Sequence, residues 1–263
     1  MLSAIVEGTN LVSRPPVAEL QPYLGCFWAL VHAPGTSVQT LPDASAYLVI
    51  EMPDAAPPRC IVAGPRLKTV RSAPTERSNV VGIRLRPGVG FLLTGAPADQ
   101  LVGYREPLAK FLGACADELA EQIAKVNSTE ARFDLLESFL LKYLAAKRID
   151  ERVTLALRLI EQSAGAIQVE QLARRCGVSA RQLERLLRTW IGISPKRLAR
   201  IARFQAVLGH AGKQPVSQWT HVAAEQNYVD QAHLIHEFSE FAGASPTRFP
   251  ALNSNNSVKP NCD

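Results

Sequence analysis

Arg181, Arg185 and Arg188 recur at i, i+4 and i+7, a spacing that puts three guanidinium groups on one side of a helix. A guanidinium donates two hydrogen bonds to a guanine edge or pairs with a phosphate, so such a stripe suits the major groove of DNA. The residues around it position it. Leu172, Ala173, Cys176, Gly177, Val178, Leu183 and Leu186 have the spacing that packs two short helices across a tight turn. Gly177 supplies the positive φ that ends the first helix, and Ser179 is placed to cap the second. Leu183, Leu186, Leu187 and Trp190 form the buried side opposite the arginines. The stretch Val169 to Arg203 therefore reads as a helix-turn-helix with its cations facing outward.

The charge distribution points the same way. Residues 1–150 hold 15 basic and 15 acidic side chains, and the remainder holds 14 and 9, which is the whole net charge of +5. Between Glu170 and Gln205 stand Arg174, Arg175, Arg181, Arg185, Arg188, Lys196, Arg197, Arg200 and Arg203, against Glu170 and Glu184 alone. A localised excess of this kind supports a polyanionic partner docking at this segment.

At 263 residues, 47 % hydrophobic and 20 % charged, the chain has the composition of two globular domains. No apolar run approaches the ~20 residues of a membrane span, and the amino terminus lacks a basic region followed by an apolar one, so a cytoplasmic protein is expected. Five widely spaced cysteines without a C-x-x-C pair suggest neither zinc nor a disulfide framework. Cys176 falls where a helix-turn-helix takes a small buried residue, with a redox sensor as the alternative.

The first third is rich in proline, glycine and β-branched residues. Tyr47 to Ile50, Ile61 to Ala63 and Val80 to Leu85 read as short strands of an antiparallel sheet, barrel or sandwich. After Pro97 come a first turn at Ala98 and helices over Asp117 to Val126 and Thr129 to Arg148. The second helix carries Phe133, Leu136, Leu140, Tyr143 and Leu144, widened by Leu135 and Phe139. That stripe fits either packing within the domain or a dimer seam. A further helix starts at Arg152 and ends before Gly165, which sets a boundary near residue 149. The expected domains are 1–148, 149–250 and a disordered tail, 251–263, that contains Cys262.

An internal repeat runs through the second domain. Gly192-Ile193-Ser194-Pro195 returns 51 positions later as Gly243-Ala244-Ser245-Pro246, and Leu183, Leu187 and Trp190 map onto Leu234, Phe238 and Phe241. The second unit has Val222-Ala223 and Asn227-Tyr228 as helix and turn, one residue longer than the first. Asp230 caps a helix from Gln231 to Phe241, and Asn227 takes the left-handed place of the glycine. Pro195 to Leu208 reads as a stiff connecting helix.

Here the sequence resembles the AraC/XylS family of bacterial transcription regulators. Gly192-Ile193-Ser194-Pro195-Lys196 with Arg203-Phe204, Tyr228 through Phe238, and Gly243 through Phe249 carry the resemblance, over about residues 149–250. It implies a seven-helix domain with two helix-turn-helix units entering successive major grooves of double-stranded DNA. By the same resemblance the base-reading positions fall on Arg181, Glu184 and Arg185, and on Gln231, Ala232 and His236. The family usually has glycine where Asn227 stands and commonly arginine where His236 stands. His233, three residues before His236, is assigned to base or phosphate contact rather than to metal. Leu41-Pro42-Asp43, Val62 to Pro65, and Val81 to Ala98 resemble the sensor region of one subgroup, which implies a cupin-like β-domain that binds a small-molecule effector or forms a homodimer. The fold expected is α+β: a β-rich cupin-like domain with flanking helices, then an all-α domain. An activator of this type also contacts RNA polymerase.

Enzymatic readings are poorly supplied. Only His32 precedes residue 200, so a metal cupin lacks its ligands. A DNA alkyl-acceptor protein would need a cysteine cluster or a Pro-Cys-His-Arg nucleophile, and neither occurs. No phosphate loop or nucleophile elbow is present. The expectation is a non-enzymatic regulator without cofactor, catalytic residue or metal; the alternatives are the alkyl-acceptor and a protein-interaction module that does not touch DNA.

Overall fold

β-Branched residues in alternation build the amino-terminal half. Strands β1 (Ala4–Val6), β2 (Val12–Arg14), β3 (Leu24–His32), β4 (Val38–Thr40), β5 (Ala46–Pro53), β6 (Arg59–Ala63), β7 (Val70–Ser72), β8 (Ser78–Leu85) and β9 (Arg105–Pro107) form two antiparallel sheets. The larger has the order β2-β3-β8-β5-β6-β9 and the smaller β1-β4-β7. The computed structural model describes residues 4–6, 11–208, 210 and 219–249. The expected strands lie within β5, β6 and β8. Sequence reading passed over β3, whose Leu24-Gly25-Cys26-Phe27-Trp28 run lacks a clean alternation because a bulge between Leu24 and Phe27 shifts its register against β8.

Leu48 and Ile50 of β5 share a face with Val81, Ile83 and Leu85 of β8, and there they meet helices α3 (Ala114–Ala124) and α4 (Thr129–Leu144). These follow the short α1 (Val89–Thr94) and α2 (Ala109–Leu112). The other face, with Leu30, Val49 and Val80, packs on Val38 of the smaller sheet. Helix α4 stops at Leu144, short of the expected Arg148. Lys147 is drawn off the helical path: its ammonium donates to the Leu92 carbonyl at 2.7 Å and its carbonyl accepts from Tyr23 at 2.9 Å. Leu136, Leu140 and Leu144 are fully buried, and Leu135 and Phe139 pack against the same core. The apolar stripe of α4 is thus internal packing and not a subunit seam.

The carboxyl-terminal region contains α5 (Glu151–Gln162), α6 (Val169–Arg175), α7 (Ala180–Ile191), α8 (Pro195–Leu208), α9 (Trp219–Glu225) and α10 (Gln231–Ala242). Asp150 caps α5 by accepting from the Arg152 amide at 2.9 Å. Six helices lie among the described residues where the resemblance implies seven; residues 211–218 and the tail assigned as disordered lie outside them. No described helix is long and apolar enough to cross a membrane.

The two halves are docked at several points. Trp190, at the end of α7, lies with its ring 4.7 Å from Phe91 of α1. Gly192, with φ +82°, approaches the 98–102 turn so closely that a Cβ would sit 2.6 Å from the Ala98 carbonyl oxygen. Both Thr69 donors reach the Phe241 carbonyl at the end of α10. Leu41 and Ala44 belong to the helical core. Between them Asp43 is ion-paired with Arg84 and accepts from Tyr47. Burial alone would raise its carboxyl; the Arg84 guanidinium and these donors hold it down at about 2.

Glu237 of α10 is 1 % exposed. It accepts from Arg200 at 2.6 Å, from Arg203 at 3.1 Å and from the Tyr228 hydroxyl at 3.0 Å. Glu240 accepts from Arg197 at 2.6 Å and also pairs with Arg200. The three α8 arginines counted above as cations for a polyanion are therefore spent inside the protein. Their carboxylate partners lie more than thirty positions away, so helical spacing could not reveal the pairing.

Two outcomes are expected. Leu140→Asp places an unpaired charge at a fully buried site and should unfold the amino-terminal half instead of yielding a folded monomer; circular dichroism with sedimentation reads the difference. Burial would raise the Glu237 carboxyl, but Arg203 and Arg200 hold it below its ordinary value. A depressed folded-state value contributes stability that is fully present above the ordinary carboxylate range and is lost as pH falls from that range through the lower folded-state value. Thermal melting from pH 7 downward should show this loss, and Glu237→Ala should cost about 1–3 kcal/mol at pH 7, because Arg203 and the buried Tyr228 hydroxyl lose their acceptor while Arg200 keeps Glu240.

Candidate nucleic-acid interface

The first helix-turn-helix is built as its sequence requires. Gly177 has φ +69°, and Ser179 begins α7 with a capping box: its hydroxyl accepts from the Gln182 amide at 3.2 Å while the Gln182 side chain accepts from the Ser179 amide at 2.8 Å. Leu183, Leu187 and Ile191 are buried against α5, α6 and α8, and Cys176 is buried as a small core residue. This packing forces the opposite side of α7 outward. Arg181, Arg185 and Arg188 are all exposed.

Those three are not equivalent. Arg188 is ion-paired with Glu184 one turn earlier at 2.7 Å. Arg181 and Arg185 make no ion pair or side-chain hydrogen bond among the described residues, which leaves both free to donate. Glu184 is half-buried, and in this structure it orients Arg188.

In the second unit Asn227 takes φ +58°, and Asp230 caps α10 through the His233 amide at 2.7 Å. Leu234, Phe238 and Phe241 are buried at the repeat positions. Trp190, the counterpart of Phe241, is the member of the repeat that turns to the other half of the molecule. Ala232 and His236 are exposed, whereas His233 is half-buried with its ring edge-on to Tyr228 at 5.3 Å. Gln231 is half-buried, and its carbonyl oxygen accepts from Thr220 of α9 at 2.8 Å. Sequence reasoning missed that bond, since it joins two helices eleven residues apart. No cation stripe runs along α10 to match that of α7. Among the described residues no group of three or more His, Cys, Asp or Glu is placed to hold a metal ion.

A cavity of about 650 Å³ opens between the halves. Ala44, Leu157, Ile160 and Ile201 supply apolar wall, and Arg86, Arg158 and Glu161 supply charge, with the Asp43–Arg84 pair also lining it.

Comparison with known proteins adds the following. Residues 13–107 match a family described as a domain of unknown function (DUF6597). No curated relative matches the chain in sequence. Among solved structures, ToxT from Vibrio cholerae O395 is 9 % identical, with 84 % of this chain and 95 % of that chain covered and a TM-score of 0.44. Unsaturated fatty acid-bound ToxT from Vibrio cholerae strain SCE256 is 10 % identical, with 94 % and 92 % covered and a TM-score of 0.39. Residues 172–251 match the family described as a helix-turn-helix domain, over the two capped units built above. These residues therefore form a helix-turn-helix domain of the AraC type.

Proposed function

We propose that the chain is a sequence-specific regulator in which residues 149–250 bind double-stranded DNA and residues 1–148 respond to a small-molecule effector. The observation that carries the first part is the contrast on α7 and α8. Arg188, Arg197, Arg200 and Arg203 are all engaged by Glu184, Glu237 or Glu240, while Arg181 and Arg185 stand exposed and unpaired near the start of α7. Two free guanidinium groups at that end of a second helix are positioned to reach base edges. Glu184, Gln231, Ala232, His233 and His236 complete the proposed contact set. The reaction is binding and not catalysis, and its place is the cytoplasm.

The interdomain cavity supports an effector. Its volume suits a small molecule, its apolar wall suits an apolar body, and Arg86 and Arg158 against Glu161 leave one positive charge for an anionic group. Its walls come from both halves, so a ligand there would bear on how they dock. A homodimer would need a surface other than the α4 stripe, and an activator would also need one for RNA polymerase.

Arg181→Ala and Arg185→Ala should each cost about 1–3 kcal/mol at a site selected from random DNA and relax base choice there. The triple change of Gln231, His233 and His236 to Ala should cost less than that of Arg181, Arg185 and Arg188. Unchanged affinity in both single variants, measured by fluorescence anisotropy, would remove α7 from base reading. A binding constant indifferent to salt would instead favour a protein-interaction module, because phosphate contacts release counterions.

For the effector, Ala202→Trp should fill the cavity. If the small-molecule fraction of a cell extract shifts DNA affinity of the wild-type protein, this variant should bind DNA yet lose the shift. An undiminished shift in the folded variant would place the effector elsewhere.

A further inference from the structure

The turns of the two helix-turn-helix units differ in length by one residue, and the packing identifies which one is extra. In the first unit the left-handed Gly177 is followed by Val178, which packs against the helical core, and then by the cap Ser179. In the second the left-handed Asn227 is followed by Tyr228, whose ring is buried and whose hydroxyl donates to Glu237. Tyr228 has taken the inward place that Val178 holds in the first unit. Val229 is consequently pushed outward between Tyr228 and the cap Asp230, and it is 87 % exposed, the highest value for a large hydrophobic among the described residues.

A β-branched side chain so placed contributes no packing to the fold, and its position is at the entrance of the helix that would lie in the groove. Three residues on, the methyl group of Ala232 is exposed as well. Between them Gln231 has its carbonyl oxygen occupied by Thr220, which leaves its amide N–H groups as donors. The end of α10 therefore offers two apolar groups beside a donor. In the major groove the base that presents a methyl group beside an acceptor is thymine, through its C5-methyl and O4.

We infer that Val229 recognises the 5-methyl group of a thymine, with Ala232 lining the same contact. The second unit then reads by apolar contact where the first reads by guanidinium, which agrees with the lack of a cation stripe on α10. This rests on the DNA-binding reading above, and it adds a specificity-determining residue outside the set named there.

The test uses the full chain and a duplex selected from random DNA, with each thymine replaced in turn by uracil, which lacks only the methyl group. The half-site of the second unit is the one whose base preferences Arg181→Ala leaves unaltered. There the wild-type protein should lose about fourfold in affinity at one position, the worth of one buried methyl group. Val229→Ala, which removes only exposed atoms and should melt as the wild type does, should bind the thymine duplex several-fold more weakly and no longer distinguish thymine from uracil. Full discrimination by Val229→Ala, or none at any position by the wild type, would overturn the assignment while leaving the regulator reading intact. Failure of the wild type to select any duplex would overturn both.

Discussion

Glu237 lies in the seam between α8 and α10 and accepts hydrogen bonds from Arg200, Arg203 and Tyr228. A carboxylate this deeply buried is tolerated only while its donors surround it, so the network fixes where α10 sits against α8. Arg197 and Arg200 extend the lock to Glu240 and lie over the Phe241 ring. Because α8 also joins the core of the first unit, the two helix-turn-helix units are held in one relative orientation. In the proposed function, where both units meet the same duplex, that orientation is the geometric requirement on which the contacts depend.

The same network redistributes charge. Counted along the chain, α8 adds to the basic excess of α7, but in three dimensions its arginines neutralise the acidic side chains of α10. What remains outward is narrower: Arg181 and Arg185 on α7, Arg174 and Arg175 on α6 and Lys196, with Arg188 tied to Glu184. The two units differ in chemistry for the same reason, since the acids of α10 serve the seam and its first turn, after the cap Asp230, carries no arginine or lysine.

The β-rich half is docked onto both units. Trp190 and Gly192 at the end of α7 rest on α1 and the 98–102 turn, and Thr69 holds the end of α10. These contacts lie at the helix ends away from Ser179 and Asp230, so the proposed reading surface stays uncovered while its support is gripped. The cavity beside Asp43 and Arg84 lies in the same interface.

Local elements were legible in the residues because their causes are local. Gly177, Ser179, Asn227 and Asp230 set backbone angles and caps within a few positions, and the apolar spacing of α4, α5, α7 and α10 selects one buried face. The repeat exposed the second unit, and the arginine stripe on α7 was visible from helical periodicity alone. Strand β3 was not legible, because its bulge breaks the alternation on which strand reading depends. Nor could the sequence separate the packing and dimer readings of Leu136, Leu140 and Leu144, since an apolar stripe looks the same whichever surface covers it. Only the tertiary structure decided which arginines are free. Pairing between α8 and α10 joins residues 34 to 43 positions apart, and electrostatic energy depends on the distance between charges in space, which order along the chain does not contain.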